Sequence, residues 1–174
     1  MKFHKHTFIV LLLMIACLAP AVAVAIETGV PAPGFSLKNL QGEEVRLADF
    51  KGRLVLLKLA TTWCPTCKEL TAEIKSIGDF LKEQNVVLLD VFVQDSEKMI
   101  KKYLGKWQPP MTFHALIDDG QAHKGYSVYL IPRLLVIDAG QTVRFDSAGR
   151  NVLAKEITDM VLEFNVPATS GDAS

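Results

Sequence analysis

A run of apolar residues interrupted only by Lys58, from Leu54 to Ala60, passes through two threonines into Trp63-Cys64-Pro65-Thr66-Cys67. Beyond it Leu70, Ile74, Ile77 and Leu81 recur at helical spacing. The run reads as a buried strand, the spacing as an amphipathic helix, and the dithiol marks the joint between them. Pro65 stands where a first helical turn tolerates proline. A thiol at a helix N-terminus meets unpaired N–H groups and the positive end of the helix dipole, and both favour thiolate over thiol. Cys67 lies on the apolar stripe and is expected to face the core, whereas Cys64 precedes the first turn and is expected to be the exposed sulfur. Such inequality suits disulfide exchange: the exposed thiolate attacks, and the sheltered one resolves the mixed disulfide by intramolecular attack.

Three blander readings compete with redox chemistry. A zinc site needs a second pair of ligands, and the candidates His114, His123 and Cys17 are not suitably spaced, so no metal is expected. A purely structural bridge rarely sits at a strand-to-helix turn, and two idle cysteines are a poor fit to this context. Reversible exchange through Cys64 and Cys67 is the reading that accounts for both residues.

The N-terminus bears on compartment. Lys2 and Lys5 lead an apolar run from Phe8 to Ala16, and Ala23-Val24-Ala25 supplies a small-x-small cleavage pattern. Residues 1–25 are therefore expected to be an export signal or an N-terminal membrane anchor. Met14-Ile15-Ala16-Cys17 also resembles a lipobox, which leaves a lipoprotein acylated at Cys17 open. The expected location is exported, in a periplasm or at the outer face of the cytoplasmic membrane. Cleavage after Ala25 leaves Cys64 and Cys67 as the last two cysteines. Without Lys2 and Lys5, the 19 basic side chains become 17 against 19 acidic ones. That balance, with no basic block, gives no support for nucleic-acid binding. Residues 26–166 suffice for one domain with its own core, and the small, polar stretch 167–174 reads as a disordered tail.

Along that domain, Phe35 to Lys38 and Glu43 to Leu47 read as a hairpin around Gln41-Gly42. The helix after the dithiol runs from about Pro65 to Gln84, and Val86 to Val93 is a second buried strand, parallel to the first. Ser96 caps a helix that Pro109-Pro110 ends, Phe113 to Ile117 is a short strand, and Leu134–Ile137 with Thr142–Phe145 forms a last hairpin before an amphipathic helix ending near Phe164. The order β-α-β-α-β-β-α is that of the thioredoxin fold: an α/β fold with a mixed central sheet flanked by helices, here with an N-terminal β-hairpin extension.

Four segments then resemble the exported TlpA/ResA-like branch of the thioredoxin superfamily: Pro31-Ala32-Pro33-Gly34-Phe35-Ser36-Leu37, Asp49-Phe50-Lys51-Gly52, Trp63 to Cys67, and Tyr126-Ser127-Val128 leading to Ile131-Pro132 and Ile137-Asp138. The Cys-Pro-Thr-Cys choice, with Pro65 and Thr66, is also found in cytochrome c maturation thioredoxins of the CcmG/DsbE type. The resemblance implies a cis Ile131–Pro132 bond across from the dithiol, exposing a backbone edge to an extended substrate, and a tryptophan, Trp63, beside the attacking cysteine. Three departures stand out. Leu70 and Ala72 replace the branch's glutamate and helix-kinking proline, and Glu69 lies about 100° away around the helix, where it reads as solvated. Arg133 follows Pro132 in place of threonine and is open to two readings, attraction of an acidic partner or a place on the rim. Lys58 stands where thioredoxin keeps a buried aspartate. It either points to the dithiol and stabilises the thiolate or, as the somewhat favoured expectation, snorkels outward.

The function expected from these features is an exported thiol–disulfide oxidoreductase that reduces oxidised cysteines of other proteins, with apocytochrome c the substrate the resemblance suggests. A membrane electron donor would re-reduce it, and no cofactor is implied, because the dithiol carries the electrons. The Pro-Thr dipeptide lacks the histidine of strongly oxidising relatives, which tilts the direction toward reduction. Two rivals share the fold. A peroxiredoxin-type thiol peroxidase uses Pro-x-x-x-Thr/Ser-x-x-Cys, a signature expected to be absent here, with Ala60 and Leu56 read at the corresponding places before Cys64. A copper-binding carrier usually spaces its cysteines by three residues and adds a histidine near the last hairpin, whereas His123 reads as a solvated side chain in a glycine-flanked loop.

Overall fold

The computed structural model describes residues 26–165. The leader with Cys17, expected over 1–25, and the tail, expected over 167–174, lie outside the described residues. Seven strands form one mixed sheet in the order β2-β1-β5-β4-β3-β6-β7. They are β1 (Ser36–Asn39), β2 (Glu44–Arg46), β3 (Val55–Ala60), β4 (Val87–Phe92), β5 (Thr112–Ile117), β6 (Arg133–Ile137) and β7 (Val143–Asp146). The helices are α1 (Pro65–Ser76), α2 (Gly78–Glu83), α3 (Glu97–Leu104), α4 (Gln121–Gly125) and α5 (Ala154–Phe164). This is the thioredoxin fold with the expected hairpin extension, β1 and β2 continuing the sheet beyond β5.

The centre of the sheet follows from the apolar runs. Parallel strands need a crossover, and helices laid over both faces bury them completely. All six residues of β3 and all six of β4 are buried, and the two strands pair in parallel. On one face Leu57, Leu59 and Leu89 pack with Phe35 and Tyr126. On the other Leu54, Leu56 and Leu88 meet Leu70 and Ile74 of α1 and Ile157 of α5. Each such leucine contributes roughly 1.5–3 kcal/mol by leaving water.

Two local expectations are corrected. The helix expected from Pro65 to Gln84 breaks at Ile77, whose φ is −111° and ψ 19°, and resumes as α2. A Cβ on Gly78 would lie 3.0 Å from Pro110 Cγ, so the break brings a residue without a side chain to where the chain after α3 crosses. The glycine-flanked stretch around His123 is a short helix, α4. Asp118 secures its start by accepting from Ala122 N at 3.0 Å and His123 N at 3.3 Å.

The margins of the sheet are also specified. Residues 29–32 run alongside the start of β7 through Gly29 N to Val143 O (2.7 Å), Val143 N to Val30 O (2.9 Å) and Ala32 N to Gln141 O (2.8 Å). Buried Tyr126 donates its hydroxyl to Pro33 O at 2.8 Å, tying this lead-in to the segment that precedes Pro132.

Candidate active site

Strand β3 delivers the chain to the dithiol, and the turn between them is held from below. Thr62 donates its N–H to Asp95 Oδ2 at 2.8 Å and its hydroxyl to Oδ1 at 2.6 Å. Cys64 is the N-cap of α1, and its sulfur accepts the N–H of Cys67 at 3.2 Å. Thr66 Oγ1 lies 3.3 Å from the same sulfur. Pro65 opens the helix, where its missing N–H would have had no intrahelical partner.

Cys64 and Cys67 are disulfide-bonded, with their Cα atoms 5.2 Å apart. Cys67 is fully buried, and Cys64 is 6 % exposed. The expected order of exposure holds, although Cys64 is recessed rather than open. Ala60 and Ile131 pack on the pair. The Ile131–Pro132 peptide is cis, as the resemblance implied. Behind Cys67 the helix is fastened: Thr71 Oγ1 donates to Cys67 O at 2.9 Å, and Tyr103 donates its hydroxyl to Thr71 Oγ1 at 2.9 Å.

Beside the recessed sulfur the surface is apolar. Trp63 is 57 % exposed, Tyr129 80 % and Leu130 53 %. Trp63, Val93, Val128, Tyr129 and Ile131, with Gln94 and His123, wall a groove of about 260 Å³. An exposed apolar surface of this kind, next to a reactive group, is suited to docking another chain. Gly149 lets exposed Leu130 lie close beside it: φ is +91° there, and a Cβ would stand 2.5 Å from Leu130 Cβ. Gly149→Ala is therefore expected to displace the Leu130 segment and lower stability by about 1–3 kcal/mol. It should also raise KM for a protein disulfide more than it lowers kcat. Urea midpoints and steady-state insulin reduction check both, and an unchanged KM would contradict the role given to this contact.

Both expectations for Lys58 are set aside. It neither snorkels nor reaches the dithiol as a free cation, because its side chain and that of Asp90 are each 1 % exposed and joined to one another. Lys58 Nζ donates to both carboxylate oxygens of Asp90 at 2.9 Å. The parallel register sets Lys58 opposite Asp90, so both side chains leave the sheet on one face at one depth. Burial pushes the Asp90 carboxyl above its usual range, and the Lys58 ammonium opposes that rise. Arg133 is corrected as well. It does not line the rim but is 3 % exposed, bonded to Asp146 through Nε (2.9 Å) and Nη2, and to Ser127 O through Nη1 (2.8 Å). Glu69 is exposed, in keeping with a solvated side chain.

The peroxidase signature falls on other residues than Ala60 and Leu56. Counted back from Cys64, Thr61 occupies the hydroxyl position, and Leu57 stands where the proline would be. Half of the signature is thus present, with the Thr61 hydroxyl buried and without a hydrogen-bond partner among the described residues. No cluster of three or more His, Cys, Asp or Glu side chains that could hold a metal occurs among the described residues.

Asp90, Asp95, Thr71 and Tyr103 were missed by sequence reasoning. Asp90 alone left a signal, as an acid inside the apolar run Val86 to Val93.

Comparison with known proteins points the same way. The profile of the AhpC/TSA family matches residues 28–146. The thioredoxin-like protein YneN of Bacillus subtilis is 34% identical over 117 residues, covering 66% of this chain and 68% of that one. The thiol-disulfide oxidoreductase ResA of Geobacillus kaustophilus is 31% identical over 121 residues, 69% of this chain and 68% of that protein. Among solved structures, a putative thiol:disulfide interchange protein DsbE from Chlorobium tepidum superposes with a TM-score of 0.69 at 24% identity, over 81% of this chain and 99% of that one.

Proposed function

We propose a reductant's role for this chain, which belongs to the AhpC/TSA family and is a thioredoxin-like thiol–disulfide oxidoreductase. The observation that carries the reading is the unequal Cys64–Cys67 pair at the N-cap of α1, one sulfur keeping a small exposed surface and one sealed in the core. In the reduced protein the Cys64 thiolate attacks one sulfur of a substrate disulfide. A Cys64–substrate bond forms, the substrate disulfide breaks, and the departing sulfur keeps the bonding pair. The Cys67 thiolate then attacks Cys64 Sγ, closing the intramolecular disulfide and freeing the second substrate sulfur. Two electrons have moved to the substrate, and the two protons given up by the dithiol match those taken up by the product thiols. Trp63 and Ile131 shape the approach, and Pro132 presents the docking edge. Lys58 belongs to the foundation of the site through Asp90.

The substrates are oxidised cysteines of other proteins. Export with an N-terminal signal, anchor or lipid, re-reduction by a membrane donor, and apocytochrome c as a substrate form the finer part of the proposal, supported by the leader pattern and the Cys-Pro-Thr-Cys motif. The test is to express Cys67→Ala in the native host and identify proteins joined through Cys64. The expected result is a set of exported cysteine proteins released by dithiothreitol, with apocytochrome c among them if the finer reading holds. Absence of such adducts, together with insulin left unreduced by the wild type, would overturn the proposal.

A further inference from the structure

The groove beside the dithiol contains an ordered acid–imidazole pair that the two-cysteine scheme does not use. His123 Nδ1 lies 2.7 Å from Asp118 Oδ2, and the Asp118 side chain is fully buried. That carboxylate is itself fixed by the N–H groups of Ala122 and His123, so it has little freedom to release the ring. A carboxylate held against Nδ1 selects the ring's orientation and leaves Nε2 as the working nitrogen. The imidazole side chain is 41% exposed, and His123 forms part of the groove wall together with Trp63, the neighbour of Cys64, and Ile131, which packs on both cysteines. Its charged neighbours lie on its own side: Asp118 beneath it, and Lys124, whose Nζ shares the space over Gly120 with the His123 ring. From the facing elements Val93, Gln94 and Val128 bring no titratable group, and Tyr129 brings a phenol.

We propose that His123, oriented by Asp118, is a general acid–base residue of disulfide exchange in this groove. The inference rests on the reductase reading above. As the Cys64–substrate bond forms and the substrate disulfide breaks, the imidazolium Nε2–H gives its proton to the departing thiolate and remains as neutral imidazole. It recovers a proton from water before the next turnover. In the oxidising direction the neutral ring takes the proton of the incoming substrate thiol. Protein disulfides expel alkyl thiolates, whose conjugate acids have pKa values near ~8.5, so protonating the departing sulfur assists the break. An aryl thiolate is far less basic and leaves without such help.

That contrast supplies the test. Reduced full-length wild type and His123→Gln are mixed with oxidised glutathione, an alkyl disulfide, and separately with dithiobis(nitrobenzoate), an aryl disulfide, and the second-order rates are followed by fluorescence and by absorbance. At about pH 6, His123→Gln is expected to react roughly tenfold more slowly with oxidised glutathione and to stay within about twofold of wild type with the aryl disulfide. Equal slowing with both disulfides means a structural role and overturns the proposal, as does no slowing with either. A wild type that reduces neither disulfide ends the reductase reading and this inference together, a result distinct from the other two.

Discussion

Cys64→Ser is expected to lower disulfide-exchange activity by at least ~10³-fold, and Cys67→Ser to stop the reaction one step later. The two losses differ in kind because the sulfurs differ in access. With Cys64 gone, the remaining thiol lies under Ala60 and Ile131 with no exposed surface, and no substrate sulfur can line up with it. With Cys67 gone, the first attack proceeds, and the mixed disulfide persists because its intramolecular competitor is missing. Closely held groups react as if present at very high effective concentration, about 10⁵ M or more in well-oriented cases, so the wild-type adduct is short-lived by comparison. Mass spectrometry after mixing with an oxidised peptide separates the cases: no adduct for Cys64→Ser, a stable adduct for Cys67→Ser. Adduct formation on Cys67 in the Cys64→Ser protein would reverse the assigned roles.

The second large effect concerns Lys58. Lys58→Met removes the partner of a fully buried carboxylate and is expected to cost about 3–5 kcal/mol at neutral pH, the usual penalty for stranding half of a buried pair. Asp95 adds a repulsive charge toward Asp90, which strengthens the effect. The pH dependence follows from the direction of the shift. Burial holds the folded-state pKa of Asp90 above its unfolded value, and loss of Lys58 lifts it further. A raised carboxyl contributes its stability below the unfolded pKa and loses it as pH climbs through the folded one. The deficit of Lys58→Met relative to wild type therefore widens with rising pH and narrows in acid. Replacing both partners, as Lys58→Met with Asp90→Leu, removes the stranded charge and is expected to recover most of the loss. Urea unfolding of the three proteins at several pH values measures this directly. If the single variant unfolds at the wild-type midpoint, the pair contributes nothing.

The parts of the site legible in the sequence are those whose causes are local. The dithiol, its proline and the stripe from Cys67 to Leu81 place strand, cap and helix start within one short span, and these stand where expected, although the helix breaks at Ile77. The fate of Lys58 was not legible, because its partner arrives through the register of a strand 32 residues away. Arg133 fails in the same way: a cationic side chain after the cis proline reads as attracting an acidic partner or lining the rim until Asp146 on β7 closes on it. At the break after Ile77, Gly78 meets Pro110, another distant contact. Helix α4 escaped because five residues, the last of them a glycine, carry almost no periodic signal, and with it escaped the pairing of His123. Charged and short elements are decided by neighbours the sequence does not bring near, whereas long apolar ones announce themselves.

The two outer strands bear on how the protein behaves in a crowd. At one margin β2 is three residues long, with Glu44 and Arg46 exposed on either side of Val45. At the other, a register shift interrupts the β6–β7 ladder, and residues 29–32, with Pro31 bridged to Thr142, lie over the free side of β7. Short, charged, bulged and proline-shielded borders are poor templates for another chain's strand. Concentrated solutions of this protein should resist edge-to-edge polymerisation and fibril growth.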